Sequence, residues 1–216
     1  MEEIENIKSM RFYPPMNWGP TLHGGGDLTR INKYMFGLVN MTFELGRMLG
    51  DIKNTSMVEI GSYKGESTFM FASSFAFDTI YAVDPLQGMS NDIHEDFNNN
   101  IKLFKGEGNE LGDIKVKHIK LHSFDAVDMF EDESLDFVYI DGDHSYENVK
   151  RDIELYLPKI KKTGFIGGHD YIREHQGVMD AVNESLGRPD MIFADTSWLI
   201  ILRKDLLKRK VKAYKG

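Results

Sequence analysis

From Met57 onward the chain alternates short apolar runs with stretches whose apolar residues return every three or four positions. That alternation marks a parallel sheet covered by helices. Five strand-like runs stand in order: Met57 to Ile60 (MVEI), Thr79 to Asp84 (TIYAVD), Val116 to Leu121 (VKHIKL), Leu135 to Asp141 (LDFVYID) and Gly164 to Gly168 (GFIGG). Between the last two, Val149, Ile153, Leu157 and Ile160 share one helical face, with Pro158 and Gly164 bracketing the helix end. Val178, Val182 and Leu186 predict another helix, stopped by Gly187 and Pro189, and MIFADTSWLIILRK from Met191 supplies two more strand-like runs. The expected fold is α/β, a Rossmann-like doubly wound sheet of about seven strands, mostly parallel with an antiparallel last strand and helices on both faces.

Before Met57 the pattern changes. FYPPMNWGPTLHGGG, from Phe12, is a loop rich in Pro, Gly and aromatic residues, and Leu38, Met41, Leu45 and Met48 then form one helical face. The expected organisation is an N-terminal arm over 1–56 that packs on or lids a site, a domain over 57–205, and a basic tail over 206–216. The tail belongs to a run from Arg203 with seven basic residues against one acid, which reads as a solvated end.

The 216 residues suit one sizeable domain, and 41% apolar with 28% charged residues is an ordinary globular composition. A formal net charge of -8 repels phosphate backbones, so nucleic acid is not expected as a partner. The absence of cysteine excludes disulfides, thiolate metal sites and a cysteine nucleophile. The acidic start MEEIENIKSM has no signal-peptide core, and no apolar run reaches the length of a membrane span, so a cytoplasmic location is expected. A homo-oligomer is left open.

In an open parallel sheet, ligands collect beyond the carboxyl ends of the strands. After the first run, VEIGSYKGEST (Val58 to Thr68) places Gly61 and Gly65 in a tight turn before a helix, whose free amides suit a polar or anionic group. One strand-helix-strand unit later, Asp84 in YAVDP is placed to accept ribose hydroxyls. A nicotinamide dinucleotide and S-adenosylmethionine both suit such a pair. GSYKGE has Ser62 and Tyr63 where the dinucleotide fingerprint needs open backbone for a pyrophosphate, so the turn leans toward a ligand without one.

VEIGSYKGEST resembles the first motif of class I S-adenosylmethionine-dependent methyltransferases, particularly the catechol O-methyltransferase-like group. The resemblance continues through YAVDP, HSFDA, LDFVYIDGDHSYENVKRDI and LPKIKKTGFIGGHDY, which look like the later strands of small metal-associated O-methyltransferases, including those acting on antibiotic sugars. It implies a cofactor site in which Glu59, Gly61, Ser62, Tyr63, Gly65 and Ser67 surround the methionine part, Asp84 holds the ribose, Ser123 lies near the adenine and Asp141 borders the site. It also implies a divalent cation, magnesium or manganese, on Asp141, His169 and Asp170, and a general base at His144. His169 departs from the family pattern: magnesium prefers oxygen ligands and imidazole suits softer metals, so either the metal differs or His169 is no ligand. The implied activity is metal-assisted O-methylation of a small-molecule hydroxyl, such as that of a natural-product or polysaccharide sugar. Metal-free transfer with His144 as base and nicotinamide-dependent oxidation are the alternatives. His23, His94, His118, His122 and His175 are read as structural or exposed.

Overall fold

The computed structural model describes residues 36–86, 91–104 and 114–202. The Pro- and Gly-rich arm, part of the Asn-rich segment and the basic tail lie outside the described residues. Seven strands, β1 (Ser56–Ile60), β2 (Thr79–Val83), β3 (Lys115–Ile119), β4 (Leu135–Ile140), β5 (Ile160–Gly168), β6 (Met191–Ile192) and β7 (Trp198–Ile201), form one sheet. Around it stand α1 (Phe36–Leu49), α2 (Glu66–Ser73), α3 (Asn91–Phe104), α4 (Ser123–Ala126), α5 (Tyr146–Tyr156) and α6 (Gln176–Leu186).

The strand order is β3-β2-β1-β4-β5-β7-β6. β1 to β5 pair in parallel, and β7 runs antiparallel to both β5 and β6. The antiparallel strand is thus the last of the described strands yet sits inside the sheet, with β6 at the edge. Among the described residues no helix is long and apolar enough to cross a membrane.

Successive side chains in a strand point to opposite faces, and here both faces are apolar. Met57, Phe137, Tyr139, Phe165 and Leu199 pack with α1 and α2, while Val58, Ile60, Val138, Ile140 and Ile166 pack with α5 and α6. Leu38, Met41 and Leu45 of α1 are among the most buried side chains, so this helix is part of the core. Leu49 takes the buried place expected for Met48, which is half-buried.

Ile160 was expected on the helix but begins β5, opposite Leu135. Pro158 lies in a single 3-10 turn, Leu157–Lys159, after which the chain is already extended. The strand then shifts register before Phe165 meets Phe137. Gly164 therefore ends no helix. It lies inside this irregular stretch, where an added Cβ would come within 2.8 Å of the Asp136 carbonyl oxygen. Across the same stretch the Lys161 ammonium pairs with Asp136 at 2.9 Å, and that carboxylate also accepts the Ser56 N–H at 2.8 Å. Strands β2 and β4 stop one residue short of Asp84 and Asp141, and β3 runs from Lys115 to Ile119. Both acids therefore begin loops.

Candidate active site

The chain leaves β1 for β2 on one side while β4 lies on the other, so a crevice opens beyond β1 and β4. The residues just past four strands hold one rank there. Asp84 N–H reaches Ile119 O at 3.1 Å, Gly61 N–H reaches Val83 O at 2.9 Å, Asp141 N–H reaches Ile60 O at 2.8 Å, and His169 N–H reaches Ile140 O at 3.1 Å. The sheet's hydrogen-bond ladder thus extends one residue into each loop and fixes where these groups stand.

The turn after β1 is tight. Gly61 has φ 88, and an added Cβ would lie 2.1 Å from the Asp141 carbonyl oxygen. Tyr63 has φ 42 and Gly65, the N-cap of α2, φ 77. Helix α3 braces this turn: Asn100 Nδ2 donates to Lys64 O at 2.8 Å, and Lys64 Nζ pairs with Asp96 at 3.1 Å. Part of the Asn-rich segment is therefore scaffolding for the turn.

Glu59 stands where alternation places a side chain on the α1–α2 face, and it is fully buried. The Ser67 and Thr68 hydroxyls of α2 donate to its two oxygens. Burial outweighs those bonds, and with Asp141 and Asp84 nearby the carboxyl is pushed up to about 7. A folded-state proton that the unfolded chain loses near pH 4.5 means that stability falls as pH rises from about 4.5 to about 7. The shift corresponds to as much as about 3 kcal/mol above pH 7. Glu59→Gln removes that cost, so it is expected to be more stable than wild type at pH 8 and no more stable at pH 4.5 in urea melts. Parallel pH dependences for the two proteins would show that no buried proton is held at Glu59.

A cavity of about 540 Å³ is lined by Gly61, Tyr63, Asp84, Ser123 and Asp141 among the expected site residues. Glu59, Ser62, Gly65 and Ser67 are not on its wall. Asp84 accepts the Tyr63 N–H on Oδ2 and the Leu86 N–H on Oδ1, both at 2.8 Å, which orients its carboxylate. The buried Ser62 hydroxyl finds no partner within the described residues, a polar atom that a bound ligand or water would satisfy. The wall also includes His122, read from sequence as structural or exposed, and Phe124, Asn148, Arg151 and Asp152, none of which the sequence singled out. One signal was available: Asp152 interrupts the apolar face of α5 next to Ile153.

Beside the cavity, Asp170 gathers three histidines. Its Oδ2 lies 3.1 Å from His144 Nε2, and its Oδ1 lies 3.2 Å from His169 Nδ1 and 3.7 Å from His175 Nε2. His175, read from sequence as structural or exposed, belongs to this cluster, with its ring 4.8 Å from that of His144. Asp170 has φ 58, a strained conformation of the kind that clusters at functional sites. Burial alone would raise its pKa, but the histidines hold it below the usual range. Asp141 and Asp170 raise the pKa of His144. Burial opposes charge on His169, yet Asp170, Asp141 and Asp195 push it up to about 9. Burial raises Asp141.

Ligand atoms of Asp141, His169 and Asp170 lie within 4.8 Å of one another, as do those of His144, Asp170 and His175. The first set offers two carboxylates and an imidazole, donors that suit manganese, iron or zinc better than magnesium.

A family profile described as a methyltransferase domain matches residues 58–171, from β1 through the Asp170 cluster. An uncharacterized protein of Acanthamoeba polyphaga mimivirus is 32% identical over 167 residues, spanning 71% of each chain. The O-methyltransferase from Bacillus cereus in complex with SAH is similar in fold, with TM-score 0.54 and 16% identity over 76% of this chain and 79% of that one. CalS11, a TDP-rhamnose 3'-O-methyltransferase in calicheamicin biosynthesis, has TM-score 0.54 and 13% identity over 78% of this chain and 80% of that one. At such identities the two structures speak for the fold, while the profile covers more than half of the chain. On that match the chain belongs to the methyltransferase domain family, with the fold of class I S-adenosylmethionine-dependent methyltransferases.

Proposed function

We propose that the protein transfers the methyl group of S-adenosylmethionine to a hydroxyl of a small molecule, with His144 taking the hydroxyl proton. What supports this most is the continuity between the cavity and the histidine cluster: Asp141 lines the first and stands 3.7 Å from His144 in the second. The Gly61 turn and Asp84 would hold the methionine and ribose parts. The carboxylates of Asp170, 3.1 Å from His144 Nε2, and of Asp141, 3.7 Å from it, would favour the proton on that nitrogen and leave Nδ1 as the base. As the acceptor oxygen bonds to the methyl carbon, the carbon–sulfur bond breaks and its electron pair stays on sulfur, giving a neutral thioether. His144 Nδ1 receives the proton, and Asp141 and Asp170 stabilise the imidazolium.

A divalent cation on Asp141, His169 and Asp170 would polarise the acceptor hydroxyl and fix it in line with the methyl group. A metal-free version has its own support, because a His169 pushed up to about 9 is itself a cation among these carboxylates. A sugar hydroxyl is the acceptor class we favour, following the sequence resemblance to methyltransferases of antibiotic sugars. The cytoplasmic location expected from the sequence suits a small-molecule acceptor.

Thermal unfolding of metal-stripped protein tests the reading. S-adenosylmethionine at about 100 times its Kd adds roughly 2.7 kcal/mol, a midpoint rise of about 5 to 10 °C for this length. A further rise with manganese, larger than with magnesium, supports the cation. A rise with NAD in place of S-adenosylmethionine overturns the cofactor, and full turnover of a sugar acceptor under chelator overturns the cation.

A further inference from the structure

We propose that Asp152 reads the 6-amino group of the cofactor's adenine, making this helix carboxylate the purine-specificity determinant of the site. The inference rests on the cofactor reading above and names a residue that neither the motifs nor the family profile assigns.

The sheet order sets the direction. Beyond β4 and β1 lie Asp141 and Gly61, beyond β2 lies Asp84, and beyond β3 lie His122, Ser123 and Phe124, all on one cavity wall. With the sulfonium end over Gly61 and the ribose at Asp84, the base falls at the β3 side. Asp152 lines the same cavity from α5. Ser123 Oγ donates to Asp152 Oδ1 at 2.5 Å, and Tyr156 Oη donates to the Ser123 carbonyl at 2.9 Å, which locks the loop after β3 to α5. The Phe124 ring stands beside them, stacked on His122 with centroids 5.0 Å apart and capped by the Arg151 guanidinium at 4.7 Å. Planar side chains lining the cavity next to a fixed acceptor are a setting that suits a purine with one amino donor.

Asp152 is only 3% exposed, and its neighbours Val149, Ile153 and Tyr156 on α5 are core residues. A carboxylate at such a position is costly unless its lone pairs are used. Among the described residues Oδ2 accepts no hydrogen bond, and burial raises the group's pKa despite Ser123 and Arg151. A ligand amino group donating to Oδ2 would complete the acceptor. A purely structural Asp152 would need the Ser123 contact alone.

The test is calorimetric binding of S-adenosylhomocysteine and of its analogue with hydrogen in place of the 6-amino group. Wild type is expected to prefer the amino compound by roughly 10- to 100-fold, the worth of a hydrogen bond to a charged partner. In Asp152→Ala the two ligands should bind within about threefold of each other. Loss of a structural strut would weaken both ligands equally and leave the preference intact, which overturns the proposal, as does a wild type without preference. Should the alanine variant not fold, Asp152→Asn keeps the contact with Ser123 and weakens the acceptor, so the preference should fall several-fold; an unchanged preference overturns the proposal. Failure of wild type to bind S-adenosylhomocysteine at all sinks the cofactor reading itself, an outcome separate from binding without preference.

Discussion

Replacing His144 by alanine is expected to lower kcat by about 10²- to 10⁴-fold, with affinity for S-adenosylmethionine changed by less than about twofold. The size follows from the chemistry. The sulfonium leaves as a neutral thioether and needs no acid, so the barrier lies in aligning the acceptor oxygen and removing its proton. His144 is 38% exposed at the cluster beside the cavity and is absent from the cavity wall, so its loss leaves the cofactor's own contacts in place. The pH profile adds a readout that a structural role would not move. The carboxylates of Asp141 and Asp170 raise the His144 pKa, so the basic form prevails only above that raised value and turnover should climb with pH through it. Turnover in the alanine variant equal to wild type, with the same pH limb, would remove His144 from the mechanism.

Gly61→Ala is expected to destabilise the protein by about 3 kcal/mol or more and to lower the unfolding midpoint by about 6 to 12 °C. Two causes add. The residue sits at φ 88, which disfavours any side chain, and the new Cβ would lie 2.1 Å from the Asp141 carbonyl oxygen. That oxygen is backbone at the end of β4, so relief requires moving the loop that carries Asp141 and His144. Cofactor binding should fall together with stability, because the displaced loop is itself a cavity wall. A midpoint within about 2 °C of wild type would mean that the turn has slack. The clash also explains why the turn tolerates Ser62 and Tyr63: the crowded position is the first one, where β1 meets the exit of β4.

The core was largely legible from periodicity, since strands buried on both faces read as apolar runs and the helices repeat at three and four. The misplaced Ile160 shows the limit. In a run from Val149 to Ile160 the three- and four-residue spacing persists by chance past Pro158, and only pairing with Leu135 reveals a strand. At the site, Gly61, Tyr63, Asp84, Ser123 and Asp141 share the cavity wall, while Glu59 and Ser67 bond to each other and are not on it. His175 and Asp152 escaped notice because each gains meaning only from a partner far along the chain or on another element: Asp170 for the first and Ser123 for the second.

The sequence by itself determined the strand and helix succession, the glycine turn and the acids at strand ends, because these depend on local period and on backbone conformations open to few residues. Tertiary structure alone decided the insertion of β7 between β5 and β6, the convergence of three histidines on Asp170, the burial that pushes Glu59 upward and the carboxylates that push His169 upward against its burial. The physical reason is that strand order, desolvation and charge proximity are set by contacts between distant parts of the chain, and no window along one sequence contains them.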